Sequence, residues 1–184
     1  MQIAKSSPKQ ASKQASGYCG QKRGGKDEWY TPKEAVEVIL PYINKGSRIL
    51  CPFDTADSEF VRILSGHGFQ VEHSHIDTGT DFFNLEKPSV EYIISNPPFS
   101  KRDLVLQRLY EWDIPFAMIF NAHGLFDSRF RIDLAMKYGA EILYIYPRVK
   151  FTDIDGVKTA PPFQSCYLCH KVLPNDLCFE LMES

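Results

Sequence analysis

An apolar run that ends at two consecutive prolines constrains this chain more than any other feature. Glu91-Tyr92-Ile93-Ile94-Ser95 reads as a buried strand, and Asn96-Pro97-Pro98-Phe99 follows it directly. Proline has no N–H to give to a strand ladder, so the chain must leave the sheet at that point and enter a loop. The rest of the sequence repeats the logic of strand, break and helix. Strands are predicted at Arg48–Cys51, about Phe69–Ile76, Phe116–Phe120 and Ile142–Tyr146. Helices are predicted after Thr31-Pro32 (Ala35, Val36, Val38, Ile39, Leu40), around Phe60–Leu64, around Leu104–Leu109 and over about Ser128–Tyr138. The end of the chain reads as a long hairpin: Val149–Thr152, a turn at Asp153–Gly156, then Phe163–His170. Strand and helix alternate through most of the sequence, which predicts a three-layer α/β sheet.

Length and charge set the remaining bounds. With 184 residues the chain has room for one domain with a sizeable core. Residues 1–26 carry six basic side chains and no acid, which leaves 15 basic against 23 acidic residues in the remainder. That stretch is rich in Ser, Gln, Lys and Gly and has no hydrophobic period, so it is expected to be a disordered basic arm. It suits phosphate neutralisation or simple solvation equally well; the domain itself is expected over residues 27–184. No apolar run approaches the roughly 20 residues of a membrane-spanning helix, and an apolar signal core is absent from the first residues. Five unevenly spaced cysteines fit a reducing compartment, so a cytoplasmic protein is expected. Cys166-Tyr167-Leu168-Cys169-His170 matches a haem-attachment pattern in letters only. In a strand its two cysteines point to opposite faces, so no metal or haem is expected there.

A strand ending in Asn-Pro-Pro-aromatic sets those four residues at the carboxyl edge of the sheet, where open α/β folds bind ligands. The segment resembles the catalytic motif of the adenine-specific N6 DNA methyltransferases. That resemblance implies a Rossmann-like class I methyltransferase sheet, S-adenosylmethionine as cofactor and DNA as substrate. It also explains the residue types. An adenine amino group is a weak nucleophile because its lone pair is delocalised into the ring. The Asn96 amide oxygen and the Pro97 carbonyl can each accept an N6–H bond, which frees that lone pair for attack on a methyl group. Pro97 and Pro98 fix the backbone, and Phe99 offers an aromatic face to an extruded base. Taken as sequence alone, Phe99 also fits a core plug beside a simple turn.

Other segments match in the order the family implies. Asp27-Glu28-Trp29-Tyr30-Thr31-Pro32 resembles the leader that borders the cofactor's methionine end, which assigns Trp29, Tyr30, Thr31 and Pro32 to the cofactor. Asp81-Phe82-Phe83 is similar to the acidic-aromatic element in which the carboxylate accepts the cofactor adenine's amino group and the next ring packs on it. Asp77 is the candidate ribose contact. The family's glycine-rich first loop is represented by Cys51-Pro52-Phe53-Asp54-Thr55-Ala56-Asp57-Ser58, with both glycines missing. Here Asp54 or Asp57 is a candidate for the cofactor's ammonium. The EcoRI-type and phage-borne adenine methyltransferases resemble this chain in that departure, over about residues 27–173, and imply a bacterial or phage-infected host cell. Arg148, Lys150, Phe151 and Phe163 look like the base-facing hairpin: the cations on phosphates, one Phe as a second aromatic wall. Asn121-Ala122-His123-Gly124 reaches the same sheet edge. Two further readings stay open on these residues. One is a catalytically silent methyltransferase-like protein that binds nucleic acid or a partner protein; the other is an enzyme acting on an amino group in RNA or protein. The short loops leave little chain for base recognition, which also brings in a homodimer.

Overall fold

The computed structural model describes residues 30–152 and 156–183. Trp29, the basic arm and most of the predicted turn at Asp153–Gly156 lie outside them. Nine strands and four α-helices are present among the described residues. The helices are α1 (Lys33–Glu37), α2 (Glu59–Gly66), α3 (Arg102–Trp112) and α4 (Arg129–Tyr138). Seven strands form one sheet: β1 (Arg48–Cys51), β2 (Gln70–His73), β3 (Tyr92–Ser95), β4 (Phe116–Asn121), β5 (Glu141–Tyr146), β8 (Ser165–His170) and β9 (Leu177–Leu181). Their order across the sheet is β2-β1-β3-β4-β8-β5-β9, and β8 alone runs antiparallel to its neighbours. The short strands β6 (Phe151–Thr152) and β7 (Lys158–Thr159) pair separately.

Alternation along the strands divides the core between the two faces. Ile49, Cys51, Ile94, Ile119 and Tyr167 pack on one face with α1 and α2 residues such as Val36, Phe60 and Leu64. Leu50, Ile93, Met118, Phe120 and Leu168 pack on the other with Val105, Leu106 and Leu109 of α3. Cys169 belongs to the first cluster and Cys166 to the second, so the strand holds these two sulfurs apart. The Tyr167 hydroxyl donates to the Ala35 carbonyl at 2.7 Å, tying α1 to the sheet.

Four elements differ from the sequence reading. The first helix stops at Glu37, and Leu40–Tyr42 form a 3₁₀ turn, because Pro41 supplies no N–H and disfavours helical backbone at the residue before it. β2 ends at His73: Ser74 turns back to the Cys51 and Pro52 carbonyls, and the His75 ring accepts from the Asp77 N–H. The long C-terminal hairpin is a correction. The return strand of Phe151–Thr152 is Lys158–Thr159, whereas Ser165–His170 enters the sheet between β4 and β5. All six residues of β8 are buried, as a central strand requires. β9, absent from the sequence reading, adds the outer edge beside β5.

Candidate active site

β1 pairs with β2 on one side and β3 on the other, so chain order reverses between β1 and β3. The carboxyl ends of these two strands form the crevice where doubly wound sheets bind ligands. Two segments enter it: Cys51-Pro52-Phe53-Asp54 from β1 and Asn96-Pro97-Pro98-Phe99 from β3. They are joined across the switch point by a hydrogen bond of 2.5 Å from the Ser95 hydroxyl to Asp54 Oδ2. The Asp54 N–H donates to the Ser74 carbonyl at 3.0 Å, which holds the β1 turn against the end of β2.

Asp54 is buried, and burial raises its carboxyl pKa to about 6. Hydrogen bonds from Ser95 and Ser58 and the nearby His75 and His73 offset part of that rise. The carboxylate therefore gains from a positive group placed beside it. Ser95 was not among the residues singled out in the sequence. A serine closing an otherwise apolar strand is the signal that marks it, since a fully buried hydroxyl needs a partner.

Pro97 is buried and Asn96, Pro98 and Phe99 are half-buried. Beyond Pro98 the chain makes one 3₁₀ turn, Phe99–Lys101, and runs straight into α3. The Phe99 ring lies 6.3 Å from Phe120 and 6.3 Å from Phe163, the latter edge-on at 61°. Phe163 reaches this position because the Ala122 N–H donates to the Gln164 carbonyl at 2.9 Å, extending the β4–β8 ladder past the strand ends. Phe99 and Phe163, one of the two candidates for the second aromatic wall, are thus neighbours. Phe151, the other candidate for that wall, is buried in the core cluster that also holds Ala35 and Val36 of α1, and its backbone pairs with Thr159. Arg148 and Lys150 are exposed, with Arg148 donating to the Pro161 carbonyl at 3.4 Å.

The remaining candidates surround the same edge unevenly. Tyr30 exchanges backbone hydrogen bonds with Thr152 at 2.8 and 3.0 Å, and Thr31 is buried beside it, with Pro32 capping α1. β6 follows the carboxyl end of β5, so this leader sits on the ligand side of the sheet. Asp77 is exposed in a 3₁₀ turn, 3.8 Å from His75 Nδ1. Asp81 Oδ1 accepts from the Phe83 N–H at 3.0 Å and caps the turn Phe82–Asn84. Phe82 is enclosed by Phe53, Phe83 and Trp112 at ring distances of 4.8, 5.3 and 5.3 Å. The Arg108 guanidinium lies over Phe82 and Trp112 and donates to the Leu85 carbonyl. Phe82 is buried in the core, and Phe83 and Phe53 are the half-buried aromatics of this corner.

The Rossmann-like three-layer α/β sheet expected from the sequence is the one observed, with one reversed strand inserted near the far edge. No protein-family model matches the sequence, and no curated protein matches it. Among solved structures the chain is similar to a TehB-like SAM-dependent methyltransferase from Corynebacterium glutamicum, at 13% identity and a TM-score of 0.48, covering 76% of this chain and 88% of that one. It is also similar to a type I restriction-modification system methyltransferase subunit from Streptococcus thermophilus, at 13% identity and a TM-score of 0.48, covering 86% of this chain and 48% of that one. A release factor-specific protein-(glutamine-N5) methyltransferase from Alicyclobacillus acidocaldarius matches at 13% identity and a TM-score of 0.42, covering 76% and 93%. The chain spans about half the length of the Streptococcus subunit.

Proposed function

We propose that this chain transfers a methyl group from S-adenosylmethionine to the N6 amino group of adenine in DNA. The observation that carries the reading is the exit of Asn96-Pro97-Pro98-Phe99 from β3 at the switch point, beside the buried Asp54 of the β1 turn and the Phe163 ring. When bound, S-adenosylmethionine supplies an electrophilic methyl group on a sulfonium. The residues present suit such a cation, because Asp54 is a desolvated carboxylate at the point where the two strands part. Asp54 takes the ammonium, Asp81 the adenine amino group and Asp77 the ribose, with Tyr30, Thr31 and Pro32 bordering the methionine end. Asn96 and the Pro97 carbonyl accept the two N6–H bonds of the target, and Phe99 and Phe163 hold its ring. Arg148, Lys150 and the basic arm meet phosphates.

The test is incubation of wild type and Asn96→Ala with tritiated S-adenosylmethionine and mixed-sequence DNA, single- and double-stranded. Label on adenine N6 with wild type, and a rate lower by about a hundredfold or more in the variant with cofactor affinity kept, is the expected result. A folded wild type that binds cofactor yet labels no DNA refutes the proposal. Label on RNA or protein moves the substrate, and no label on any of the three leaves a silent binding protein.

A further inference from the structure

At the opposite end of the sheet from β2, the register pairs Ile142 with Leu177, Tyr144 with Phe179 and Tyr146 with Leu181. Alternation sets these six side chains on one face of β5 and β9, and none of them carries a charge. Sheet faces in a three-layer fold are normally covered, yet here Tyr146 is 65% exposed, Leu177 51%, Phe179 69% and Leu181 73%. The exposure is not that of a loose strand end. On its other side β9 is fastened: the Tyr42 hydroxyl donates to Glu180 at 2.7 Å, and Cys178 packs against the core. An apolar groove of about 310 Å³ opens next to Phe179, floored by Cys166 and walled by Leu125 and Phe126. The outer edge of β9 has no further strand among the described residues, and Leu177–Leu181 holds neither lysine nor proline to guard it.

We propose that this face is the contact surface of a twofold dimer, its occupant being a second copy of the same chain. A twofold contact brings a patch against itself, so the patch must carry both the projection and the recess that receives it. This one does: Leu177 and Phe179 are exposed, and the groove lies directly beside them. The area also fits. The four exposed side chains present on the order of 500 Å² of apolar surface, toward the roughly 800 Å² per partner of a standard interface, and the groove walls supply more. With no charge on the patch, a charged partner such as nucleic acid gains nothing from it, whereas an identical uncharged face buries apolar area on both sides.

The dimer is independent of the reaction proposed above, and sedimentation reads mass alone. Sedimentation of the full chain at micromolar concentration gives a dimer for wild type. Phe179→Glu and, separately, Tyr146→Lys on the neighbouring strand each raise the dissociation constant at least a hundredfold, with the circular dichroism spectrum retained. Ile76→Lys, an exposed apolar position by the other edge of the sheet, leaves the dimer intact. A wild-type chain that stays monomeric, because the face is bare or covered by another part of the same chain, overturns the proposal. So does a dimer that survives both substitutions.

Discussion

Asp54 carries a cost that depends on pH. Its folded-state pKa of about 6 stands above the ordinary carboxylate value because the group is buried, so folding favours the protonated form. The sign follows: the contribution of Asp54 to stability is largest below about pH 4, where the carboxyl is protonated folded or unfolded, and is lost as pH rises through 6. The loss by neutral pH is on the order of 3 kcal/mol. Asp54→Asn removes that dependence. Urea unfolding from pH 4 to 8 is expected to show the variant gaining on wild type by up to about this amount as pH rises; parallel curves would contradict the assignment. A bound cation offsets the same cost, so wild-type affinity for S-adenosylmethionine should climb through pH 6 while that of Asp54→Asn stays flat. At this scale the sequence was informative wherever chemistry sat in a contiguous motif. Asn96-Pro97-Pro98-Phe99 was legible, and so was the position of Asp54. The partner Ser95 and the enclosure of Phe82 were not, since both depend on side chains brought in from distant elements.

Between α3 and α4 a buried cation is clamped by two partly exposed acids. Arg131 is 5% exposed and pairs with Asp103 of α3 and with Asp127, which are 45% and 56% exposed, while its Nε donates to the Leu125 carbonyl at 3.0 Å. The asymmetry of exposure decides what each removal costs. Arg131→Met leaves two carboxylates that water can reach, and about 1–3 kcal/mol is expected to be lost. Asp103→Ala with Asp127→Ala strands a guanidinium in the protein interior, at about 3–5 kcal/mol. Urea midpoints should rank the double variant below Arg131→Met, and the reverse order would mean that the packing of the arginine stem matters more than its charge. Elements of this kind were readable where local signals agreed. Ser128 accepts from the Arg131 N–H at the start of α4, and Gly139 ends that helix with a positive φ of 83°. β8 has no such local signal because its pairing is decided by the whole sheet: Ser165–His170 forms a hairpin or a central strand depending on what β4 and β5 leave open.

On the scale of the whole molecule, charge is divided between the basic stretch at residues 1–26 and an acidic remainder. Deleting 1–26 is expected to leave cofactor affinity unchanged and to flatten the dependence of DNA binding on salt, by about 0.9 in the log–log slope for each phosphate the stretch neutralises. Equal slopes for the full and shortened chains would assign the stretch no role in binding. The insertion of β8 has a consequence of another kind, for the order in which the molecule can assemble. β2, β1, β3 and β4 can pair with one another in the order in which they are synthesised, but β5 does not pair with β4 and is joined to them only through β8. Until His170 has left the ribosome, β5 has no ladder to enter and β4 has an open flank. Closing that gap brings Phe116 against His170 and Asn121 against Ser165, pairings remote in sequence and therefore slow to form. Throughout that interval the emerging chain carries an apolar sheet with an unpaired flank, the kind of surface on which partly folded chains associate.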